Sequence, residues 1–295
     1  MLAGPESPPQ PAALRCSITV LMFQGETLRF LSLIVIAFSF AVAAQPALIN
    51  VNEFELAYEV AGSGRHIVLL EAGGNAGMSD WGPVFNRMAE HATVIRYSRV
   101  GNGESTAIER HFTSRDYADY ASELLIRLDI QEPVIVVAYS YGGSVARDFA
   151  AAYPEQIKAL LMLDPSSEHH VDILRAIDLE KGNRQIAEIK QDDMKNGMSN
   201  QYLDFWSKRP LPDYPQIRDI PVTVIASVKR AEMSENLFFT DQGRRLWGEL
   251  WQSWAGDFPQ GKSVLTRKSG HLVHVDEPEL VLDELLALMN KLERD

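Results

Sequence analysis

Short apolar runs alternate with amphipathic stretches from Ala47 towards the end of the chain. Eight runs have the length and composition of β-strands, and the later ones are continuously apolar, as in strands that are buried on both faces. The predicted strands cover residues 48–51, 55–60, 66–71, 93–97, 134–139, 158–164, 222–226 and 263–266. Strands that alternate with helices predict an α/β fold, with a mostly parallel eight-stranded sheet flanked by helices.

The spacing of apolar residues between these strands predicts several helices. Residues 116–128 carry an apolar stripe, and Thr113 with Asp116 has the pattern of a capping box at its start. A second helix follows the fifth strand and ends before Pro154, because proline cannot continue a helix. A third begins at Pro278 and carries a leucine-rich packing face.

Residues 166–219 break the alternation of strands and helices. The segment is polar and helical at first and is then interrupted by prolines. We expect a helical cap inserted after the sixth strand, which leaves residues 47–165 and 220–295 as the core. Three aromatic residues either line the roof of a pocket or pack the cap onto the core: Tyr202, Phe205 and Trp206.

The first 46 residues have the pattern of a leader. Residues 30–44 form an uninterrupted apolar run that follows Arg29 and ends in small residues, as in a cleaved signal peptide. A membrane span usually needs about 20 apolar residues, so cleavage is favoured over an anchor formed by the uncleaved leader. We expect an exported protein, periplasmic or secreted, with Met22 as the true start and no stable membrane span after cleavage.

Composition and charge narrow the classes of function. The chain has 295 residues, of which 46% are apolar and 23% charged, as in a globular protein. Its net charge of -12 and its lack of a Lys/Arg cluster argue against binding to nucleic acid. The single cysteine, Cys16, lies in the predicted leader, so we expect no internal disulfide in the mature chain.

One serine stands between the fifth predicted strand and the helix that follows. Residues 138–142 read Ala-Tyr-Ser-Tyr-Gly, a variant of the nucleophile-elbow pattern Gly-x-Ser-x-Gly with alanine in the first position. Small residues two before and two after the serine let the strand and the helix pass close together, which leaves the hydroxyl exposed. We therefore expect Ser140 to be a nucleophile at positive φ.

A nucleophilic serine needs a base, an acid that orients the base, and donors for the oxyanion. Of the seven histidines, His271 is best placed as the base, because it follows the last strand and a glycine and precedes a helix. His274 is interpreted as a loop histidine satisfied by solvent. The pair His169 and His170 is interpreted as exposed cap surface rather than a metal site, because adjacent histidines on a helix point in different directions.

Four motifs, in the same order, resemble those of the α/β-hydrolase superfamily and specifically its capped esterase-like branch. Residues 69–75 look like the oxyanion loop, and residues 97–105 resemble the Asp-Arg-x-Gly-x-Gly-x-Ser turn with Ser98 in place of aspartate. The elbow and the Gly-His pair at residues 270–271 complete the set, so the resemblance covers residues 47–292. It implies hydrolysis of an ester-like bond through an acyl-serine, without a metal or organic cofactor.

The resemblance also implies a role for each matching residue. Ser140 is the nucleophile, and His271 is the general base and then the general acid. The backbone N–H of Tyr141 supplies one oxyanion donor. The second comes from Gly74 or Gly73, with Gly74 preferred.

Two positions depart from the family pattern. Glu71 stands where the oxyanion loop commonly has histidine, which leaves the second donor open. The aspartate that most members carry after the seventh strand is replaced by Lys229 and Arg230, and neither can orient an imidazolium. The candidates for the acid are Asp164 and Glu232. Asp164 is preferred, because the end of a strand fixes a short carboxylate better than a loop does.

The leading hypothesis is an exported serine hydrolase that cleaves a small ester-like molecule: an acyl ester, lactone, thioester or amide. Epoxide hydrolase or haloalkane dehalogenase chemistry would need aspartate in place of Ser140. The alternative is a non-catalytic ligand-binding member of the same fold, which the missing aspartate after the seventh strand favours. The sequence leaves the physiological substrate and the oligomeric state open.

Overall fold

The computed structural model of the protein describes residues 46–109, 112–195, 216–231 and 234–294. Apart from residue 46, the predicted leader lies outside these ranges, as do Tyr202, Phe205, Trp206 and Glu232. Within the ranges, no helix combines the length and the hydrophobicity that a membrane span requires.

A mixed eight-stranded sheet forms the centre of the described chain. Its strands are β1 (Ala47–Val51), β2 (Phe54–Ala61), β3 (Ile67–Glu71), β4 (Thr93–Tyr97), β5 (Val134–Tyr139), β6 (Ile157–Leu163), β7 (Val222–Ser227) and β8 (Gly261–Thr266). Their order across the sheet is β1-β2-β4-β3-β5-β6-β7-β8. The β1–β2 and β2–β4 pairs are antiparallel, and the other neighbouring pairs are parallel. The predicted mostly parallel sheet is confirmed, and each strand end lies within two residues of its predicted position.

Helices flank this sheet. They are α1 (Gly82–Ala89), α2 (Ser114–Arg127), α3 (Gly142–Ala152), α4 (His170–Ile177), α5 (Leu179–Lys195), α6 (Asp241–Gly256), α7 (Val273–Asp276) and α8 (Pro278–Leu292). Short 3-10 turns occur at Met78–Trp81, Pro154–Gln156 and Leu237–Phe239. The three predicted helices correspond to α2, α3 and α8. The capping box before α2 is also present, because the N–H of Thr113 donates to Asp116 Oδ2 at 2.8 Å and the N–H of Asp116 donates to Thr113 Oγ1 at 3.2 Å.

The central strands contribute alternate side chains to two hydrophobic cores. In β5, Val136 and Ala138 belong to one core, which includes residues of α2, α3 and α6. Val137 and Tyr139 belong to the other, which includes residues of α1 and α8. Successive side chains of a strand point to opposite faces, so a strand between two cores must be apolar at every position. This explains the continuous apolar runs in the sequence.

The carboxyl ends of the parallel strands bring the predicted site residues to one edge of the sheet. Ser140 follows β5 and Asp164 follows β6, and these neighbouring strands are in register where Tyr139 pairs with Leu163. His271 lies in the loop after β8. Ligands of open α/β sheets bind at this edge.

The segment between β6 and β7 is helical in its described part, where α4 and α5 lie. A helical start was predicted for residues 166–219 from their composition. That this segment forms a cap with its own boundaries stays a prediction.

Candidate active site

Ser140 lies in a sharp turn between β5 and α3. Its φ is +54°, in the left-handed region that residues other than glycine seldom adopt. Two glycines allow the turn to pack closely: a Cβ on Gly142 would lie 2.4 Å from the Glu71 carbonyl oxygen, and a Cβ on Gly143 would lie 2.3 Å from Pro165 Cβ. The strained conformation, which typically costs about 1–3 kcal/mol, is therefore held by tight packing around the start of α3.

Ser140, His271 and Asp164 form a continuous hydrogen-bonded chain. His271 Nε2 is 2.8 Å from Ser140 Oγ, and His271 Nδ1 is 2.8 Å from Asp164 Oδ2. The Asp164 side chain is only 4% exposed, whereas that of His271 is 52% exposed. The structure thus brings together the three side chains that the sequence analysis named, at distances that permit proton transfer from the serine to the histidine.

Several donors hold the carboxylate of Asp164. Its Oδ1 accepts the backbone N–H of Ser227 at 3.0 Å and the indole N–H of Trp247 at 2.8 Å. Arg244 Nη2 lies 3.6 Å from the same oxygen. Because these groups occupy Oδ1, Oδ2 is directed to His271.

Sequence reasoning did not find these donors. The spacing of Trp247, Trp251 and Trp254 predicts a helix that packs against the sheet, and in α6 all three are buried. Nothing in that spacing marks Trp247 as the partner of a carboxylate. Arg244 and Ser227 belong to no motif, so no signal in the chain pointed to them.

A buried ion pair shapes the loop after β3. Glu71 pairs with Arg99, and both side chains are almost fully buried. Arg99 also donates to the carbonyl oxygens of residues 72–74, at 2.6 Å for Ala72 and 2.8 Å for Gly74. Burial raises the pKa of Glu71, and the Arg99 guanidinium opposes that shift. One arginine therefore holds three successive carbonyls of the predicted oxyanion loop.

This arrangement sets the direction of the N–H groups in the loop. A trans peptide group is planar, so its N–H points opposite to its C=O. The Gly73 carbonyl faces Arg99, so the N–H of Gly74, in the same peptide group, points away from Arg99. Gly74 lines a cavity beside Ser140, whereas a Cβ on Gly73 would lie 2.7 Å from the ring of Tyr139. The position favours Gly74 over Gly73 as an oxyanion donor.

Two cavities meet at Ser140 and His271. The first, here called the apolar cavity, has a mostly apolar lining and a volume of about 520 Å³. The second has a lining with a larger polar share, is here called the polar cavity, and has a volume of about 530 Å³. The apolar cavity is lined by, among others, Pro165, Ile189, Phe238, Phe239 and Trp247. The polar cavity is lined by, among others, Gly74, Asn75, Gly77, Ser79 and Asp80. Both volumes fall in the usual range for small-molecule sites, roughly 300–1,000 Å³.

The structure corrects the interpretation of three histidines. His274 has no exposed surface and lies between the rings of Trp81 and Tyr139, with centroids 5.0 and 4.5 Å away. It is therefore a core residue and not a solvated loop histidine. His169 is buried as well, and its Nδ1 lies 3.1 Å from Asp172 Oδ2. His170 is half-buried and packs against the ring of Phe238 at 3.9 Å. The interpretation of this pair as exposed surface is therefore wrong for both, because α4 packs inward at its first turn.

Metal-ligating side chains do not converge in the part of the chain that the structure describes. In those ranges no group of three or more His, Cys, Asp or Glu side chains could hold an ion.

Known proteins match parts of this chain. The family model of the alpha/beta hydrolase fold matches residues 65–198. Over 114 residues the chain is 33% identical to an uncharacterized protein of Mycobacterium tuberculosis, a match that covers 39% of this chain and 33% of that protein. Over 95 residues it is 35% identical to lipase LipV of the same organism, which covers 30% of this chain and 35% of the lipase. The chain thus spans about a third of the length of these curated relatives.

Solved structures match a larger part of the chain. A thermophilic esterase from Thermogutta terrifontis aligns with a TM-score of 0.57 and 21% identity, and the match covers 84% of this chain and 99% of the esterase. At that identity the likeness concerns the fold. The order of the sheet, the turn at Ser140 and these matches lead to one conclusion: the described chain has the α/β-hydrolase fold.

Proposed function

We propose that the protein is a serine hydrolase that cleaves a small ester-like substrate, namely an acyl ester, lactone, thioester or amide, through an acyl-serine intermediate. The observation that carries this proposal is the chain of two 2.8 Å contacts from Ser140 through His271 to Asp164. One relative that matches part of the chain is named a lipase, and one structural neighbour is named an esterase. Both names are consistent with the proposal.

The first half of the reaction forms the acyl-enzyme. Ser140 Oγ attacks the carbonyl carbon of the substrate while its proton moves to His271 Nε2, and Asp164 stabilises the resulting imidazolium. The substrate oxygen becomes an oxyanion that accepts hydrogen bonds from two backbone N–H groups, those of Tyr141 and Gly74. When the tetrahedral intermediate collapses, the bond to the leaving group breaks and His271 protonates that group.

The second half releases the acid. A water molecule gives a proton to His271 Nε2 and attacks the acyl carbon, and the same two N–H groups stabilise the second oxyanion. Collapse breaks the bond to Ser140 Oγ, which takes the proton back from His271. Serine, histidine and aspartate return to their initial states, so the cycle needs only water as co-substrate.

The geometry also bears on the competing functions. The non-catalytic alternative drew its support from the missing aspartate after β7, where Lys229 and Arg230 stand. In the proposed mechanism Asp164 supplies that carboxylate, so the gap no longer favours a binding protein. Epoxide hydrolysis and dehalogenation would begin from an aspartate at the elbow, where this chain has Ser140.

Labelling with a fluorophosphonate probe tests the proposal directly. We expect the wild-type protein to be labelled, and Ser140→Ala to remain unlabelled and to lose turnover of p-nitrophenyl esters by a factor on the order of 10³ or more. Circular dichroism of both proteins controls for folding. A folded wild-type protein that neither reacts with the probe nor cleaves any ester would refute the mechanism and support the ligand-binding alternative.

A pair of substitutions assigns the acid. Asp164→Asn keeps the shape of the side chain but favours the wrong tautomer of His271, so we expect kcat to fall by about 10⁴-fold. Glu232→Gln should leave kcat within about twofold, because hydrogen bonds hold Asp164 on the imidazole. Steady-state kinetics with one ester suffices, and the reverse pattern would assign the role to Glu232.

A further inference from the structure

The polar cavity carries one carboxylate. Among its lining residues that the structure describes, Asp80 is the only acidic side chain, and His271 is the only basic one. The remaining lining residues are uncharged; they include the polar Asn75, Ser79 and Tyr139 and the apolar Leu272. A ligand group that enters this cavity therefore meets a negative charge.

Three neighbours of Asp80 in the described chain do not neutralise its negative charge. The Tyr139 hydroxyl donates to Asp80 Oδ2 at 2.7 Å, and burial together with Asp80 raises the pKa of Tyr139 far above the physiological range. His274, which contacts the Tyr139 ring, is kept neutral at pH 7 because burial lowers its pKa to about 4. Arg96 approaches the neighbouring Met78 carbonyl but forms its ion pair with Glu59.

The apolar cavity has the opposite character. Aromatic and aliphatic side chains dominate its lining, and its charged residues include three basic ones, Lys229, Arg230 and Arg244. Two acidic residues also line it, Asp164 and Asp193, but Asp164 is already held by His271 and Trp247. An alkyl chain fits this surface. The basic side chains outnumber the acidic ones, so this partly dehydrated cavity is the less favourable place for a cation.

As an extension of the proposed function, on which it rests, we propose that the preferred substrate is an ester of an apolar acyl group with a positively charged alcohol. The acyl chain occupies the apolar cavity, and the cationic leaving group occupies the polar cavity, where it faces Asp80. His271 lines both cavities, so it can protonate the alcohol oxygen as the bond to the acyl carbon breaks.

A matched pair of esters tests the charge preference. Hexanoylcholine and 3,3-dimethylbutyl hexanoate have the same acyl chain and nearly the same shape, but only the first carries a cation. For the wild-type protein we expect kcat/KM to favour hexanoylcholine, with about two- to fivefold of the preference due to Asp80, the size typical of a partly exposed ion pair. The preference should shrink as salt is added.

Two variants identify the residue responsible. Asp80→Asn removes the charge but retains an oxygen that accepts from Tyr139. It should lower the ratio of the two kcat/KM values about two- to fivefold, to the ratio set by the reactivity of the two esters. Glu104→Gln removes an exposed charge that lies next to Gly103 but outside the lining of the cavity, so it should keep the wild-type ratio. Because each ratio compares two esters on one enzyme, a general loss of activity in a variant cancels.

Each adverse result has a distinct meaning. A wild-type ratio near one, or an equal ratio in Asp80→Asn, would overturn the inference. Turnover of p-nitrophenyl hexanoate without turnover of hexanoylcholine would also overturn the inference. In that case the proposed serine hydrolase function would remain supported. Failure of all three esters, together with no fluorophosphonate labelling, would instead remove the proposed function itself.

Discussion

At the scale of the residue, the orientation of His271 depends on how Asp164 is held. The indole N–H of Trp247 and the backbone N–H of Ser227 both reach Asp164 Oδ1. A hydrogen bond to a charged group contributes about 1.5–3 kcal/mol. Trp247 is therefore expected to act as a positioning residue, through Asp164 and not through contact with the reacting atoms.

Trp247→Phe tests this role, because phenylalanine preserves the aromatic packing and removes only the indole donor. We expect kcat to fall by about 10- to 100-fold, while KM for the same ester changes by no more than about threefold. Trp251→Phe is the matched control, since Trp251 lies on the same helix and packs edge-on against Trp247 at 5.6 Å. Equal losses of kcat in both variants would show that the effect comes from packing of the helix and not from the bond to Asp164.

The residues that could be named from sequence are those in local motifs. Ser140 lies in a five-residue pattern, His271 follows a glycine after a strand, and Asp164 ends an apolar run, so each carries a signal in its immediate neighbourhood. Trp247 and Ser227 reach Asp164 across more than 60 residues of chain. Contacts of that kind depend on how α6 and β7 pack, which no short pattern encodes.

At the scale of the element, the start of α3 depends on the absence of a side chain at Gly142. A Cβ there would lie 2.4–2.5 Å from the carbonyl oxygens of Glu71 and Ala72, which belong to the backbone and can move only with the loop. The same loop carries the predicted oxyanion donor at Gly74. Stability and catalysis are therefore linked at this point.

Gly142→Ala should destabilise the protein by about 1–3 kcal/mol, the usual cost of overpacking, and should also lower kcat by displacing the loop. Gly82→Ala is the control, because a Cβ on Gly82, at the start of α1, meets no atom within 4 Å. That variant is expected to be neutral or more stable by up to about 1 kcal/mol. Urea unfolding measures both, and equal stability of the two variants would contradict the steric argument.

The elements differ in how far the sequence reveals them. Short apolar-rich runs between turn residues marked every strand, and a capping box marked α2. The eight-residue α1 and the four-residue α7 were not predicted, because they are too short to establish a helical period. Their presence follows from packing against β-strands and α8, which the linear pattern does not contain.

At the scale of the whole molecule, buried histidines connect stability to pH. Burial lowers the pKa of His274 and that of His170 to about 4 each. An unfolded histidine has a pKa of about 6.5, so between these values the unfolded chain binds more protons than the folded one. Stability is therefore complete above pH 6.5 and is lost as the pH falls towards 4.

His274→Phe tests the contribution of one of these two histidines. His274 also experiences Asp80, His271 and Asp276, but burial is the first cause of its shift. Its contribution amounts to about 3 kcal/mol between pH 7 and pH 4. We expect the free energy of unfolding, measured in urea at pH 7 and pH 4.5, to change less with pH in the variant than in the wild type. An identical pH dependence would mean that His274 is not titrated on unfolding.

The two cavities have only Ser140 and His271 in common among their lining residues. Free-energy effects of substitutions at separate sites without shared partners are usually additive. Substitutions around Phe238 should then alter the preference for the acyl group, and substitutions around Asn75 the preference for the alcohol. The two effects should be independent, so that the factors by which they change kcat/KM multiply. Specificity for the acyl group and specificity for the alcohol could accordingly change one at a time, in evolution or by design.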